Sequence, residues 1–109
     1  MEPVVSEREF EQSADRTLTA LQAALDELAI DCEVELSMGI LSIEFPDGAK
    51  YVINSHRAAK QIWMAAEREA WHFDPKPSGW LAAKTGDELF ATISRVLSKK
   101  TGAPVAVQI

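Results

Sequence analysis

The spacing of apolar residues changes twice along this chain, and that change most limits its possible folds. In the first part, apolar residues recur at steps of three and four, as on one face of a helix: Phe10, Ala14, Leu18, Leu21, Leu25 and Leu28. Between residues 31 and 83 they alternate with polar residues in short runs separated by turn residues, which is typical of strands. A second helical stripe follows from Leu89 to Leu97. The predicted order is therefore helix, five or six strands, helix.

Both predicted helices carry start signals. Ser6-Glu7-Arg8-Glu9 fits a capping box, with Val5 and Phe10 at the positions of a hydrophobic staple. We expect this first helix to span about 22 residues. Thr85-Gly86-Asp87-Glu88 fits a second capping box, and Gly102 followed by Pro104 ends the second helix.

The alternating runs predict strands at 31–36, 40–45, 50–54, 61–66, 71–74 and 80–83. Short strands joined by tight turns pair as an antiparallel meander, one face of which can stay solvated. We therefore expect a single domain, residues 1–109, of the α+β class. It would be a two-layer sandwich with both helices packed on one face of an antiparallel five- to six-stranded sheet.

The composition excludes several protein classes. An apolar fraction of 47% is typical of a folded globule, and no apolar run approaches the roughly 20 residues that span a bilayer. The acidic N-terminal segment does not resemble a targeting signal, and the single cysteine excludes an internal disulfide and a cysteine-cluster metal site. We expect a cytoplasmic protein. The formal net charge of −6 argues against a nucleic-acid partner.

The charge is divided unequally along the chain. Residues 1–47 carry twelve carboxylates and two arginines, a net charge of −10, whereas residues 48–109 carry a net charge of +4. Carboxylates four residues apart on a helix repel one another, so such a surface usually meets a cation or a basic partner. Carboxylate oxygens are suitable ligands for Mg²⁺, Ca²⁺ or iron, and here they would hold an ion weakly on an open surface. A solvated face that keeps the protein soluble explains the same charges without any ligand.

A second candidate site lies on the outer sheet face. If the strand residues Tyr51, Ile53, Ile62 and Met64 fill the core, alternation places Asn54, Gln61 and Trp63 on the opposite face, with His72 beside them. Because both helices would cover the core face, Trp63 should be solvent-exposed, and an exposed tryptophan is a favoured interface anchor. The alternative is that Trp63 only packs against a residue of a neighbouring strand. The sequence places His56 in the polar loop between the predicted strands 50–54 and 61–66.

The residues taken together resemble the frataxin family in its bacterial form. The resemblance covers nearly the whole chain and rests on the element order and on these segments: Glu9-Phe10…Ala14-Asp15, Ile30-Asp31-Cys32-Glu33, Gly39-Ile40-Leu41-Ser42-Ile43, Asp47-Gly48…Tyr51-Val52-Ile53-Asn54, Gln61-Ile62-Trp63-Met64-Ala65 and Trp71-His72-Phe73-Asp74. It implies a non-enzymatic iron-binding accessory protein that regulates iron–sulfur cluster assembly. It implies as partners a cysteine desulfurase (IscS-like) and a scaffold (IscU-like), and a monomer that could oligomerise with iron.

The resemblance also implies roles for particular residues. The iron (Fe²⁺ or Fe³⁺) would lie, weakly bound, on carboxylates of the first helix and first strand: Glu7, Glu11, Asp15, Asp26, Glu27, Asp31 and Glu33. The partner-facing positions would be Asn54, Gln61 and Trp63, and we add the neighbouring His72. Bacterial relatives often have a longer acidic stretch before the first strand, whereas here Leu28-Ala29-Ile30 leads directly to Asp31. Two other functions stay open: a ferroxidase that also stores iron, and an acidic protein-interaction module with no metal role.

Overall fold

The computed structural model describes residues 6–77 and 79–107. Two helices flank six strands in chain order: α1 (Glu7–Asp26), β1 (Glu33–Ser37), β2 (Ile40–Glu44), β3 (Lys50–His56), β4 (Gln61–Ala66), β5 (Glu69–Lys76), β6 (Gly79–Leu81) and α2 (Leu89–Thr101). Each strand pairs antiparallel with the next, so the spatial order of the sheet equals the sequence order. The predicted fold class is confirmed.

Helix α1 begins as the capping box predicts. The backbone N–H of Glu9 donates to the Ser6 hydroxyl at 3.1 Å, which satisfies one of the unpaired N–H groups of the first turn. The helix buries five residues of the predicted stripe: Phe10, Ala14, Leu18, Leu21 and Leu25. It has 20 residues, and Leu28 packs against the core from beyond its end. The predicted staple residue Val5 lies outside the described residues.

The core face of the sheet follows the predicted alternation. Its fully covered side chains come from four adjacent strands: Leu41, Ile43, Tyr51, Ile53, Ile62, Met64, Trp71 and Phe73. Buried residues of both helices belong to the same cluster, and the Trp80 ring of β6 meets the Phe10 ring edge-on at 5.9 Å. The described residues therefore share one core, which leaves the other sheet face without a covering layer.

Strand ends differ from the prediction by at most two residues, and β4 has the predicted bounds. β3 continues to His56 and β5 runs from Glu69 to Lys76, because cross-strand hydrogen bonding extends up to the turns. Asp31 and Cys32 precede β1 and are not part of it.

The second predicted cap is wrong. Helix α2 begins after Glu88, whose carboxylate accepts from the backbone N–H groups of Phe90 and Ala91 at 2.9 and 3.0 Å. The Thr85 hydroxyl instead donates to the Asp87 carboxylate within the preceding turn. The helix ends at Gly102 in the left-handed conformation (φ 73°), as predicted. No helix within the described ranges has the length and apolar character needed to cross a bilayer.

Candidate functional site

The predicted metal ligands form two groups along α1. We call the seven carboxylates the acidic ridge: Glu7, Glu11, Asp15, Asp26, Glu27, Asp31 and Glu33. The N-terminal group (Glu7, Glu11 and Asp15) lies on the first turns of the helix, and the other four residues lie where α1 passes into β1. At 1.5 Å per residue, Asp15 and Asp26 are about 16 Å apart along the axis. One ion therefore cannot touch both groups.

The carboxylates of the ridge point into solvent. All are exposed except the half-buried Glu11. Among the residues that the structure describes, no three His, Cys, Asp or Glu side chains converge closely enough to hold a metal ion. A hard cation that met this surface would keep most of its water shell. The geometry suits weak, exchangeable binding.

One residue of the ridge already has a cationic partner. The Arg57 guanidinium, from the turn between β3 and β4, donates to the Glu11 carboxylate at 2.9 Å. This hydrogen bond, with the attraction of Glu11 and Glu7, raises the pKa of Arg57 above its usual value. A cation that binds at Glu11 must compete with this guanidinium, so Glu11 is a poorer ligand than its position suggests.

Two carboxylates at the end of α1 oppose the helix dipole. Helix α1 has no basic residue in its last turn, while Asp26 closes the helix and Glu27 caps it. Negative charge at a helix C-terminus is unfavourable, whereas Glu7 and Glu9 in the first turn are favourably placed. Asp26 and Glu27 therefore oppose helix stability.

Cys32 lies between the ridge and the core and is half-buried. Burial, followed by the nearby charges of Asp31 and Asp26, raises the pKa of its thiol above the ordinary value. The thiolate is the form that binds metals and reacts with electrophiles. The raised pKa disfavours the thiolate, so Cys32 is a weaker metal ligand than an exposed cysteine.

We expect Cys32 to react slowly with iodoacetamide in the folded protein. The midpoint of its rate–pH profile should lie above that of a free cysteine. Asp31→Asn should move that midpoint down, because the nearby carboxylate disfavours the thiolate. The chain unfolded in denaturant supplies the reference rate. A folded profile that coincided with this reference would contradict the shielded environment.

On the outer sheet face, the predicted partner residues lie in register. Asn54 is directly opposite Trp63, and Trp63 is directly opposite His72. Gln61 lies two residues before Trp63 on the same face, and its amide donates to the Asp74 carboxylate at 2.9 Å. The structure thus brings all four predicted positions together on one uncovered surface.

Trp63 is half-buried rather than exposed, which corrects the prediction. Its indole is stacked between two imidazoles, with ring centroids 3.8 Å from His56 and 4.3 Å from His72. Its Nε1–H donates to Oε1 of Gln61 at 2.8 Å. Trp63 therefore lies on the predicted face of the sheet, but the two imidazoles cover both sides of its indole ring. The two interpretations of Trp63 are not exclusive, since it packs against neighbouring strands and still lies on the open side.

His56 is the residue that sequence reasoning missed. The sequence predicts a loop here, yet His56 is the last residue of β3, and its Nδ1 accepts the Ala59 backbone N–H at 3.2 Å. The available signal was its position two residues after Asn54, which puts both on the same strand face. His56 holds Trp63 in one orientation.

Comparison with known proteins agrees with this architecture. A family model described as the frataxin-like domain matches residues 3–103. A relative from Janthinobacterium sp. (strain Marseille), named iron-sulfur cluster assembly protein CyaY, is 37% identical over 109 residues, covering 95% of this chain and 97% of its own. The frataxin of Psychromonas ingrahamii shares the fold, with a TM-score of 0.88 over 95% of this chain and 99% of its own at 24% identity.

A more distant structure adds a metal-bound example. It is a trimeric frataxin from the yeast Saccharomyces cerevisiae, complexed with ferrous iron, with a TM-score of 0.59 at 26% identity, covering 94% of this chain and 88% of its own. The family match extends over most of the chain, and the sequence identity to the bacterial relative holds over nearly its full length. The chain belongs to the frataxin-like family.

Proposed function

We propose that this protein is a non-enzymatic, cytoplasmic accessory factor of iron–sulfur cluster assembly. It binds Fe²⁺ or Fe³⁺ weakly on the acidic ridge and docks on a cysteine desulfurase and its scaffold, proteins of the IscS and IscU type. The observation that carries the proposal is the exposed acidic ridge in a chain whose bacterial relative is named for cluster assembly. The yeast frataxin complexed with ferrous iron supports the choice of metal.

The charge distribution supports a division between two surfaces. The ridge attracts cations and basic protein surfaces at long range, and such attraction speeds association and weakens as salt is added. The outer sheet face supplies a half-buried tryptophan, a residue type enriched at the centre of protein interfaces, with amide and imidazole neighbours. Iron would therefore use the ridge alone, whereas the protein partner would contact both the ridge and the outer sheet face.

The proposal is tested by NMR titration of the ¹⁵N-labelled protein. Anaerobic Fe²⁺ should broaden signals of α1 and the start of β1, whereas the desulfurase should also perturb signals of β3 to β5. Iron that leaves the ridge signals unchanged would favour an interaction module without a metal role. Admission of oxygen distinguishes the ferroxidase alternative, because catalysed Fe²⁺ oxidation above the buffer rate would contradict a non-enzymatic role.

Replacing Arg57 with glutamine should strengthen Fe²⁺ binding at the N-terminal group by a few-fold. The change removes the guanidinium that competes for the Glu11 carboxylate. Arg68→Gln, at the exposed turn between β4 and β5, removes an equal charge away from the ridge and is the matched control. Equal gains in Fe²⁺ affinity in the two variants would contradict a specific competition at Glu11, because they would show that only the net charge of the protein affects binding.

A further inference from the structure

Two large apolar side chains stand out on the surface at the hairpin between β1 and β2. Met38 is 97% exposed and Ile40 is 48% exposed. Single exposed apolar residues are common, but these two are separated only by Gly39 and lie beside the predicted partner residues. Their position needs an explanation that core packing does not supply.

The backbone of the hairpin makes methionine an unexpected choice. Met38 and Gly39 form a two-residue loop in which both have positive φ, 50° and 77°. This type I′ geometry favours asparagine followed by glycine, and a residue such as methionine is strained there. Met38 thus neither packs internally nor suits its backbone conformation. Both costs suggest selection for an external contact.

Ile40 continues the row of partner residues across the sheet. It lies directly opposite Asn54, which lies opposite Trp63, which in turn lies opposite His72. With neighbouring strands about 4.8 Å apart, this row extends over about 14 Å. We call these four residues, with Met38 at the hairpin tip, the sheet-face row.

The hairpin tip is hydrogen-bonded to β3. The Ser55 backbone N–H donates to the Gly39 carbonyl at 2.9 Å, and a Cβ added to Gly39 would lie 2.6 Å from the Ser55 hydroxyl oxygen. A surface that is ordered before binding loses less conformational entropy on association. This contact positions the backbone next to Met38 before a partner binds.

The charge around the row indicates its occupant. Glu33, Glu35 and Glu44 are exposed and share the outer face of β1 and β2 with Ile40. The apolar side chains of Met38, Ile40 and Trp63, bordered by carboxylates, complement a protein surface that carries an apolar ridge beside lysine or arginine. The same border would repel the phosphates of a nucleic acid.

We propose that Met38 and Ile40 extend the docking surface from Trp63 to the β1–β2 hairpin, and that the extended row binds a basic protein surface with an apolar ridge. The inference rests on the proposed function and identifies two further residues that would contact the protein partner. Ile40 supplies a branched apolar contact beside Asn54, and Met38 supplies an adaptable one at the tip.

The test compares variants that separate apolar contact from stability. Met38→Asn suits the type I′ turn, and Ile40→Thr keeps a β-branched strand residue, so both variants should fold. The double variant should bind the purified desulfurase–scaffold complex at least about tenfold more weakly, the loss expected for contacts at the core of an interface. Met38→Leu keeps an apolar side chain at the same strained position and should bind within about twofold of the unchanged protein.

Trp63→Ala, measured in the same assay, distinguishes failure of this inference from failure of the proposed function. If Trp63→Ala weakens binding while the double variant does not, the hairpin extension is wrong and the proposed docking stands. If the unchanged protein does not bind the complex, both are overturned. If sedimentation shows a dimer of the free chain that the double variant abolishes, the row is a self-association surface and the inference is wrong.

Discussion

Replacing Trp63 with alanine should weaken binding to the desulfurase–scaffold complex by about 30-fold or more, the loss typical of a central aromatic anchor. Trp63 lies in the middle of the sheet-face row, flanked by Asn54 and His72. Its two stacking partners and the hydrogen bond to Gln61 hold it in one orientation before a partner arrives. Isothermal titration calorimetry on the purified complex measures the loss.

The same substitution should cost an intermediate amount of stability. Trp63 is half-buried and each aromatic stack contributes about 0.5–1.5 kcal/mol, so the free energy of unfolding should fall by about 1–3 kcal/mol. Trp80 is the matched control, since it is buried against Phe10 and donates to the Thr17 hydroxyl at 3.0 Å. Trp80→Ala should cost about 3–5 kcal/mol.

Denaturant unfolding separates structural from functional loss. Trp63→Phe keeps an aromatic ring between the imidazoles and should recover most of the stability. If Trp63→Ala destabilised the protein as much as Trp80→Ala, Trp63 would be a core residue, and the docking assignment would be wrong.

Neutralising the four carboxylates at the junction of α1 and β1 should weaken Fe²⁺ binding there by about tenfold or more, because affinity at oxygen sites depends on ligand charge. The variant carries Asp26→Asn, Glu27→Gln, Asp31→Asn and Glu33→Gln. It should also be more stable, by about 0.3–1 kcal/mol for each of the two carboxylates that oppose the helix dipole. Anaerobic NMR titration and denaturant unfolding measure the two effects.

The N-terminal group should behave differently. Neutralising Glu7, Glu11 and Asp15 should weaken iron binding at that end, but it should bring little gain in stability. Glu7 interacts favourably with the helix N-terminus, and Glu11 loses its ion pair with Arg57. Glu69→Gln, an exposed acid outside the ridge, is the control. A marked loss of stability in the junction variant would show that those carboxylates are structural.

Patterns within single elements were determined by the sequence alone. The apolar stripe predicted which face of α1 is buried, and strict alternation predicted that Ile62 and Met64 point into the core while Trp63 points away. The Ser6 cap was predictable for the same reason. Each of these features depends on residues a few positions apart, whose relative geometry is set by the backbone repeat.

Contacts between distant segments were decided only by the tertiary structure. The ion pair between Arg57 and Glu11 joins residues 46 positions apart. It makes Glu11 a poorer metal ligand than the sequence alone predicts. The cover on Trp63 depends on the register of three strands, which places His72 directly opposite the indole and His56 diagonally beside it. Local spacing determines which way a side chain points, but what it meets there depends on how the whole chain packs.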